Sequence, residues 1–136
     1  MRHAPPSAKR VVCVDFDGTI APWGKLFDLP EPFPGVADAM RALRSAGYRI
    51  VILTSRLSEA WQDADHLHFG FSDPIAFDIE NREYVRSYLR RYNIPWDDIT
   101  AEKIPAVAYF DDHAVHVSTR HPLTSRIRCL LAGAGA

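Results

Sequence analysis

The chain has 136 residues, a length that suits one domain with a single hydrophobic core. Hydrophobic residues make up 47% of the chain and charged residues 24%, which excludes a disordered or fibrous protein and predicts a soluble globular one. The formal net charge of −1 provides no field to gather nucleic acid or an anionic membrane, and no apolar run is long enough to span a bilayer.

Two short tails are expected to flank a single domain at residues 10–131. Segment 1–9 has a basic start but lacks the apolar stretch of a signal peptide, and segment 132–136 consists of small residues. Two cysteines, Cys13 and Cys129, are too few for a disulfide framework. A reducing cytoplasm is therefore the expected location.

The first half of the chain predicts a strand, a helix and a second strand. Residues 11–14, VVCV, form a short β-branched run that is typical of a buried strand in a parallel sheet. Residues 21–35 contain four prolines and predict a rigid loop. Apolar residues then share one helical face through 36–46, Gly47 provides a left-handed cap, and 48–54 predict another buried strand. This order predicts a right-handed βαβ unit.

The second half is less regular. Residues 55–80 mix helical and extended signals and predict no firm element, although part of them, 58–80, is a candidate flap or small insertion. Apolar residues recur at helical spacing through 81–94. Residues 104–110 predict a third buried strand, and 125–131, SRIRCLL, predict a final strand. The predicted fold is therefore α/β, a Rossmann-like open parallel sheet with helices on both faces.

Polar residues stand at the ends of three predicted strands. Asp15 and Asp17 follow the first strand, Thr54 the second, and Asp111 and Asp112 the third. Because the carboxyl ends of parallel strands line one crevice, these side chains are expected to lie together. Four carboxylates in one crevice repel each other, so a bound cation is expected. A donor set of oxygens without cysteine or histidine favours a hard ion, and Mg²⁺ is the first choice.

These motifs, in this order, resemble those of the haloacid-dehalogenase superfamily of aspartate-nucleophile phosphohydrolases. VDFDGT is similar to the first motif of that family, VILTS to the second, Lys103 in AEKIPAV to the third and AYFDD to the fourth. The resemblance covers most of the chain in outline. It implies a Mg²⁺-dependent phosphomonoesterase, with a phosphorylated substrate of unknown class.

The resemblance implies a role for each of four residues. Asp15 would attack phosphorus and form an aspartyl-phosphate, and Asp17 would be the general acid and base. Thr54 would donate a hydrogen bond to a phosphoryl oxygen, and Lys103 would neutralise charge on the transferring group, although Lys103 also fits an ordinary surface lysine. The implied metal ligands are Asp15, Asp17 through its main-chain carbonyl, Asp111, and Asp112 either directly or through water.

Four further residues are candidates for substrate binding. Gly18 would supply backbone freedom where the chain leaves the first strand, and Thr19 would help to fix the turn. Ser55 is a second hydroxyl beside Thr54, and strand alternation lets one of the two point naturally into the site. Arg56 is expected either to contact a substrate phosphate or to form a surface salt bridge.

The segments between the motifs are too short for a large cap domain, so the chain resembles a capless or nearly capless family member with an open site. Open sites suit phosphorylated macromolecules, including phosphorylated nucleic-acid ends, or a small ester covered by an oligomeric partner. His113 either faces this site or begins a helix. Four aromatic residues could form a substrate platform, but packing within the irregular segment is favoured for them: Trp61, Phe69, Phe71 and Phe77.

Two alternatives come from other classes of protein. A phospho-receiver signalling module also gathers aspartates, a threonine and a lysine at strand ends, but its acceptor aspartate normally sits on a separate strand from the acidic pair. A catalytically silent binding protein with the same fold is the third hypothesis. The lifetime of the acyl-phosphate separates the first alternative from a phosphatase, since a receiver keeps this group long enough to signal.

Overall fold

A sheet of four parallel strands lies at the centre of the computed structural model, which describes residues 10–114, 119–120 and 122–133. The strands are β1 Val11–Val14, β2 Arg49–Leu53, β3 Asp98–Thr100 and β4 Ala108–Phe110, in the order β3-β2-β1-β4. The helices are α1 Val36–Ser45, α2 Glu59–Asp65, α3 Pro74–Arg91 and α4 Leu123–Leu131, with a 3₁₀ turn at Ser55–Leu57. This architecture confirms the predicted α/β, Rossmann-like parallel sheet.

Strand β1 is central, which explains its continuous apolar sequence. Cys13 lies opposite Val51 of β2 on one side and opposite Tyr109 of β4 on the other. A strand that is covered on both faces needs apolar residues at successive positions instead of alternating ones. The ladder continues one step past β1, because the Asp15 amide donates to the Phe110 carbonyl at 2.8 Å. The first aspartate of the motif is therefore held at the end of β4.

Helix α3 covers the core and also holds the proline-rich loop. Phe16 is fully buried and packs edge-on against Tyr88 of α3, with ring centroids 5.2 Å apart. The Tyr88 hydroxyl donates to the Pro30 carbonyl at 2.6 Å, and the Tyr84 hydroxyl accepts from the Leu29 amide at 2.7 Å. These two tyrosines anchor the loop that follows the DFDGT motif.

Residues 55–80, for which no firm element was predicted, contain the 3₁₀ turn, α2 and the beginning of α3. Asp73 caps α3 by accepting from the Ala76 amide at 2.8 Å, and proline stands in the first turn, where it costs no hydrogen bond. The aromatic residues of this segment pack on one another around buried Phe77, which lies 4.8 Å from Trp61 and 5.0 Å from Phe71 between ring centroids. Packing within this segment, the alternative favoured for these residues, is therefore confirmed.

The prediction of a final strand at 125–131 is wrong, because these residues belong to helix α4. Apolar side chains at 123, 127, 130 and 131 fit a helical period, and a short apolar run does not by itself distinguish a helix from a strand. Strand β3 was not predicted, since it has only three residues and begins at an aspartate. The predicted tail 1–9 and the last residues of the predicted tail 132–136 lie outside the described residues.

Among the helices of the described ranges, none combines the length and the apolar character that crossing a bilayer requires.

Candidate active site

The carboxyl end of the sheet opens into a cavity of about 320 Å³. Asp15 follows β1, Thr54 follows β2 and Asp111 follows β4, so three strand ends meet there. A larger cavity of about 520 Å³ lies between α1 and β4, but its lining holds no acidic or basic side chain. Six of the ten predicted site residues line the first cavity: Asp15, Asp17, Thr54, Ser55, Lys103 and Asp111.

Three carboxylates form a compact acidic cluster at this cavity. Oxygens of Asp15, Asp111 and Asp112 all lie within 4.8 Å of one another. Burial, followed by the charge of Asp111 and the hydrogen bond and charge of Asp112, raises the pKa of Asp15 to about 7. Ionisation of Asp15 is therefore disfavoured by burial and by its two acidic neighbours.

Asp112 keeps its charge more easily than Asp15 does. Burial by itself raises the pKa of Asp112, but hydrogen bonds involving Trp23 and Asp15, with the charge of His113, lower it below the usual aspartate range. The indole N–H of Trp23 donates to Asp112 Oδ2 at 3.1 Å, and His113 Nε2 lies 3.5 Å from the same oxygen. The acidic cluster thus contains one stabilised carboxylate beside one destabilised carboxylate.

The turn after β1 brings the two acidic motifs together. Gly18 has φ +83°, and a Cβ at this position would lie 2.2 Å from Asp112 Oδ2 and 2.4 Å from Trp23 Nε1. Thr19 Oγ1 accepts from the Asp112 amide at 3.0 Å, although the two residues are 93 positions apart. The same hydroxyl is 3.5 Å from Asp15 Oδ2. The absence of a side chain at Gly18 therefore lets Asp112 and Trp23 lie against this turn, and Thr19 links the ends of β1 and β4.

Arg56 forms a buried ion pair with Asp17. Its Nε donates to Asp17 Oδ2 at 2.7 Å and its Nη2 donates to Asp17 Oδ1 at 2.8 Å. The Arg56 side chain is 4% exposed and that of Asp17 is 13% exposed. This arrangement differs from both expectations for Arg56, which neither reaches into the cavity nor forms a surface salt bridge.

The rest of the Arg56 guanidinium is also occupied. Nη1 donates to the Leu26 carbonyl at 2.6 Å, and the group lies 5.4 Å from the Phe16 ring centroid and 5.3 Å from that of Tyr84. A guanidinium is suited to this position because it stacks between aromatic rings while its planar edge binds a carboxylate bidentately. Asp17 is consequently held away from the acidic cluster of Asp15, Asp111 and Asp112.

The hydroxyl and lysine candidates lie on the other side of the cavity. Thr54 is buried, and its Oγ1 accepts from the Arg56 amide at 3.2 Å to cap the 3₁₀ turn. Ser55 is exposed, and both residues line the cavity. Lys103 is exposed at the cavity edge, with Nζ 5.0 Å from the ring centroid of Tyr109.

Trp23 is a site residue that sequence reasoning missed. It is 60% exposed, lines the cavity and stacks on His113 with ring centroids 5.6 Å apart and an interplanar angle of 19°. The signal available in the sequence was a tryptophan among prolines shortly after the DFDGT motif. His113 faces the cavity, which is one of the two alternatives considered for it.

Comparisons with known proteins add little to this geometry. No family model matches the chain, and no curated protein matches it. The chain is similar to the crystal structure of an MCSG target from Vibrio cholerae, with a TM-score of 0.49 and 20% sequence identity. The alignment covers 79% of this chain and 83% of the other chain. A likeness of this degree says nothing about function.

Proposed function

We propose that the protein is a magnesium-dependent phosphohydrolase that cleaves phosphate monoesters through Asp15. The observation that carries the proposal is the convergence of Asp15, Asp111 and Asp112 to within 4.8 Å at the carboxyl end of a parallel sheet. This edge is the usual ligand position in such folds. The cluster also fits the order of the four sequence motifs, which the resemblance to aspartate-nucleophile phosphohydrolases explains.

The donor set suits Mg²⁺. Three carboxylates supply hard oxygen ligands. Burial, together with repulsion from the other two carboxylates, raises the pKa of Asp15 to about 7. Asp15, Asp111 and Asp112 would hold the ion together with the main-chain carbonyl of Asp17. When bound, Mg²⁺ supplies positive charge that offsets both the carboxylates and an anionic phosphoryl group.

Asp15 is the proposed nucleophile because it lines the cavity and is fixed by its backbone bond to β4. Its carboxylate oxygen bonds to phosphorus while the ester P–O bond breaks, and the leaving oxygen takes a proton from Asp17. Water then attacks the aspartyl-phosphate, gives its proton to Asp17 and releases inorganic phosphate. Lys103 and Thr54 line the same cavity and would stabilise the charged oxygens of the transferring group.

To perform this role, Asp17 must release at least one of its two carboxylate oxygens from Arg56. Both of its carboxylate oxygens accept hydrogen bonds from the guanidinium, at 2.7 and 2.8 Å. Asp17 nevertheless lines the cavity, so a side-chain rotation brings it toward a bound ester. The ion pair is therefore the resting state of the acid–base group in this proposal, and Asp17 takes up a proton from water as it leaves the guanidinium, which it then gives to the leaving oxygen.

The same ion pair favours a second candidate function, a receiver-like module. If Asp17 stays on Arg56, no base activates water, and the aspartyl-phosphate persists. Intact-mass measurement after a short exposure to acetyl phosphate distinguishes the two functions. A phosphatase returns to the unmodified mass within its turnover time, whereas a receiver retains the added phosphoryl group for minutes.

The main experiment measures phosphate release from p-nitrophenyl phosphate and from glycerol 3-phosphate, with Mg²⁺ and with a chelator. We expect release to require Mg²⁺ and to be abolished in Asp15→Asn. Asp28→Asn makes the same chemical change at an exposed position outside the cavity and provides the matched control. Wild-type turnover in Asp15→Asn would rule out Asp15 as the nucleophile.

A further inference from the structure

The mouth of the candidate active site carries a pair of stacked, exposed aromatic rings. Trp23 is 60% exposed and the His113 side chain is 77% exposed, and both line the cavity that contains Asp15. We infer that the substrate is a phosphate monoester whose leaving group contains a planar aromatic ring, and that this ring stacks on the Trp23–His113 platform. The inference rests on the proposed function and names the substrate class of the same site.

The platform is fixed before any ligand arrives. The Trp23 indole is held by its hydrogen bond to Asp112 Oδ2 at 3.1 Å and by its stacking on His113 at 5.6 Å. The loop that carries Trp23 is rigid through its prolines and its bonds to Tyr84 and Tyr88. A preorganised aromatic surface loses little conformational entropy when a ligand binds.

Among the described residues, Trp23 and His113 are the aromatic side chains that line the cavity. Other aromatic residues nearby are either buried, like Phe16, or, like Tyr109 and Phe110 at 39% and 48% exposed, lie outside its lining. Trp23 instead presents apolar surface to solvent at the rim of a polar cavity. Large exposed aromatic surface beside a cavity is typical of a ligand-binding position.

The charges of the cavity suit a single phosphoryl group. Among the described residues that line it, Lys103 supplies the one lysine or arginine side chain. Arg56 lies outside this lining, and its guanidinium is held by the Leu26 carbonyl and by the rings of Phe16 and Tyr84 even when Asp17 turns away. One lysine with a divalent ion matches the charge of a monoester better than that of a di- or triphosphate.

Stacking recognises any flat π-system, so a nucleobase and a phenol ring satisfy the same platform. The kinetic test therefore uses three esters: a nucleoside 5′-monophosphate, phenyl phosphate, and glycerol 3-phosphate as the ring-free reference. We expect wild-type kcat/KM for the nucleoside 5′-monophosphate to exceed that for glycerol 3-phosphate, which has a similar alkyl leaving group, by about tenfold or more, in line with the strength of base–aromatic stacking. Because phenol is a better leaving group than a nucleoside 5′-hydroxyl, the source of the ring is identified by which aromatic ester loses more kcat/KM in Trp23→Ala, and not by their relative rates in the wild type.

Variants of Trp23 separate the ring from the indole N–H. Trp23→Ala should raise KM for the aromatic ester and remove most of its advantage over glycerol 3-phosphate. Trp23→Phe, which keeps a ring but loses the bond to Asp112, should retain most of that advantage. Because an effect on Asp112 alters all esters alike, the ratio between esters reports the stacking. An unchanged ratio in Trp23→Ala would overturn the inference.

A binding measurement distinguishes failure of the inference from failure of the proposed function. In the Asp15→Asn protein with Mg²⁺, a nucleoside 5′-monophosphate should quench tryptophan fluorescence, ribose 5-phosphate should not, and the added Trp23→Phe change should remove the quenching. If no ester is hydrolysed by the wild type, the proposed function fails. If esters are hydrolysed but this quenching is absent, the stacking inference fails and the phosphohydrolase stands.

Discussion

Arg56 and Asp17 are joined by two hydrogen bonds, from Nε to Oδ2 at 2.7 Å and from Nη2 to Oδ1 at 2.8 Å, across 39 positions of sequence. The pair ties the DFDGT turn to the 3₁₀ turn after β2, and Arg56 extends the connection to the Leu26 carbonyl of the proline-rich loop. It therefore serves two purposes. It connects the turns that follow β1 and β2, and it occupies both carboxylate oxygens of the proposed acid–base group.

Removal of Arg56 should destabilise the protein strongly. Arg56→Met keeps the aliphatic volume but leaves the Asp17 carboxylate, 13% exposed, without its charged partner. Loss of one member of a buried pair typically costs about 3–5 kcal/mol, and the partial exposure of Asp17 places the expected loss at about 3 kcal/mol. Urea unfolding monitored by circular dichroism measures the free energy of unfolding.

The matched control for Arg56 is Arg90→Met. Arg90 is 59% exposed and lies 3.6 Å from Glu83, so its loss should change the free energy of unfolding by about 0.5 kcal/mol or less. Adding Asp17→Asn to Arg56→Met should recover part of the stability, because the unpaired charge is removed. An Arg56→Met protein as stable as Arg90→Met would contradict the structural role of the pair.

Substitution of Asp17 should separate the two chemical steps. Asp17→Asn retains the shape of the side chain but cannot donate or accept the required proton. Turnover should fall by about 10²- to 10⁴-fold, the usual contribution of a general acid–base group. With p-nitrophenyl phosphate, whose leaving group needs little protonation, the aspartyl-phosphate should accumulate and be visible as an added phosphoryl mass. Asp28→Asn should behave like the wild type, and a phosphorylated Asp15 that hydrolyses at the wild-type rate in Asp17→Asn would exclude the role.

Two glycines with the same backbone conformation provide a test of the close approach at Gly18. Gly18 has φ +83° and Gly35 has φ +82°, so alanine is strained at both positions, by about 1–2 kcal/mol. At Gly18 the new Cβ would also lie 2.2 Å from Asp112 Oδ2, whereas at Gly35 nothing lies within 4 Å. Gly18→Ala should therefore displace Asp112 and weaken Mg²⁺ affinity, measured by isothermal titration calorimetry. Equal Mg²⁺ affinity in Gly18→Ala and Gly35→Ala would show that Asp112 does not contribute to the metal site.

The raised pKa of Asp15 predicts that the metal-free protein loses stability as pH rises. The pKa is 3.8 for an ordinary aspartate and about 7 in the folded protein, through burial first and then through Asp111 and Asp112. Between these values the folded protein keeps a proton that the unfolded chain releases, so a rise in pH through this window favours the unfolded chain. The loss should reach about 1–2 kcal/mol above pH 7, since Asp15 is partly open to solvent and the repulsion is screened.

Thermal or urea unfolding from pH 4 to pH 8 in a chelator measures this dependence. Asp15→Asn has no carboxyl group to titrate and should lack the difference, so subtraction of its profile isolates Asp15 from the other groups. Mg²⁺ at pH 8 should restore stability to the wild type, because it binds the ionised carboxylates. A wild-type profile parallel to that of Asp15→Asn would contradict the prediction.

The local sequence determined the parts of the fold that depend on neighbouring residues. A β-branched run that ends in DFDGT specifies a buried central strand with carboxylates at its end, and Gly47 specifies a left-handed helix cap, seen as φ +89°. The parallel topology then follows from strand and helix alternation, and it places Asp15, Thr54 and Asp111 at one cavity. These features were predictable because each rests on periodicity, on backbone conformation or on the geometry of a parallel sheet.

Only the tertiary structure decided how side chains distant in sequence pair with one another. The Arg56 guanidinium binds Asp17 across 39 positions, and the Trp23 indole binds Asp112 across 89, and no local pattern encodes either contact. Helix α2, where no firm element was predicted, has three apolar residues among seven, too few to show a period. The run at 125–131 was predicted as a strand because a short apolar run fits both periods, and it forms part of a helix. Sequence thus determined which chemical groups meet at the sheet edge, while folding decided which of them are held by partners and which face the cavity, because burial and pairing depend on the whole chain.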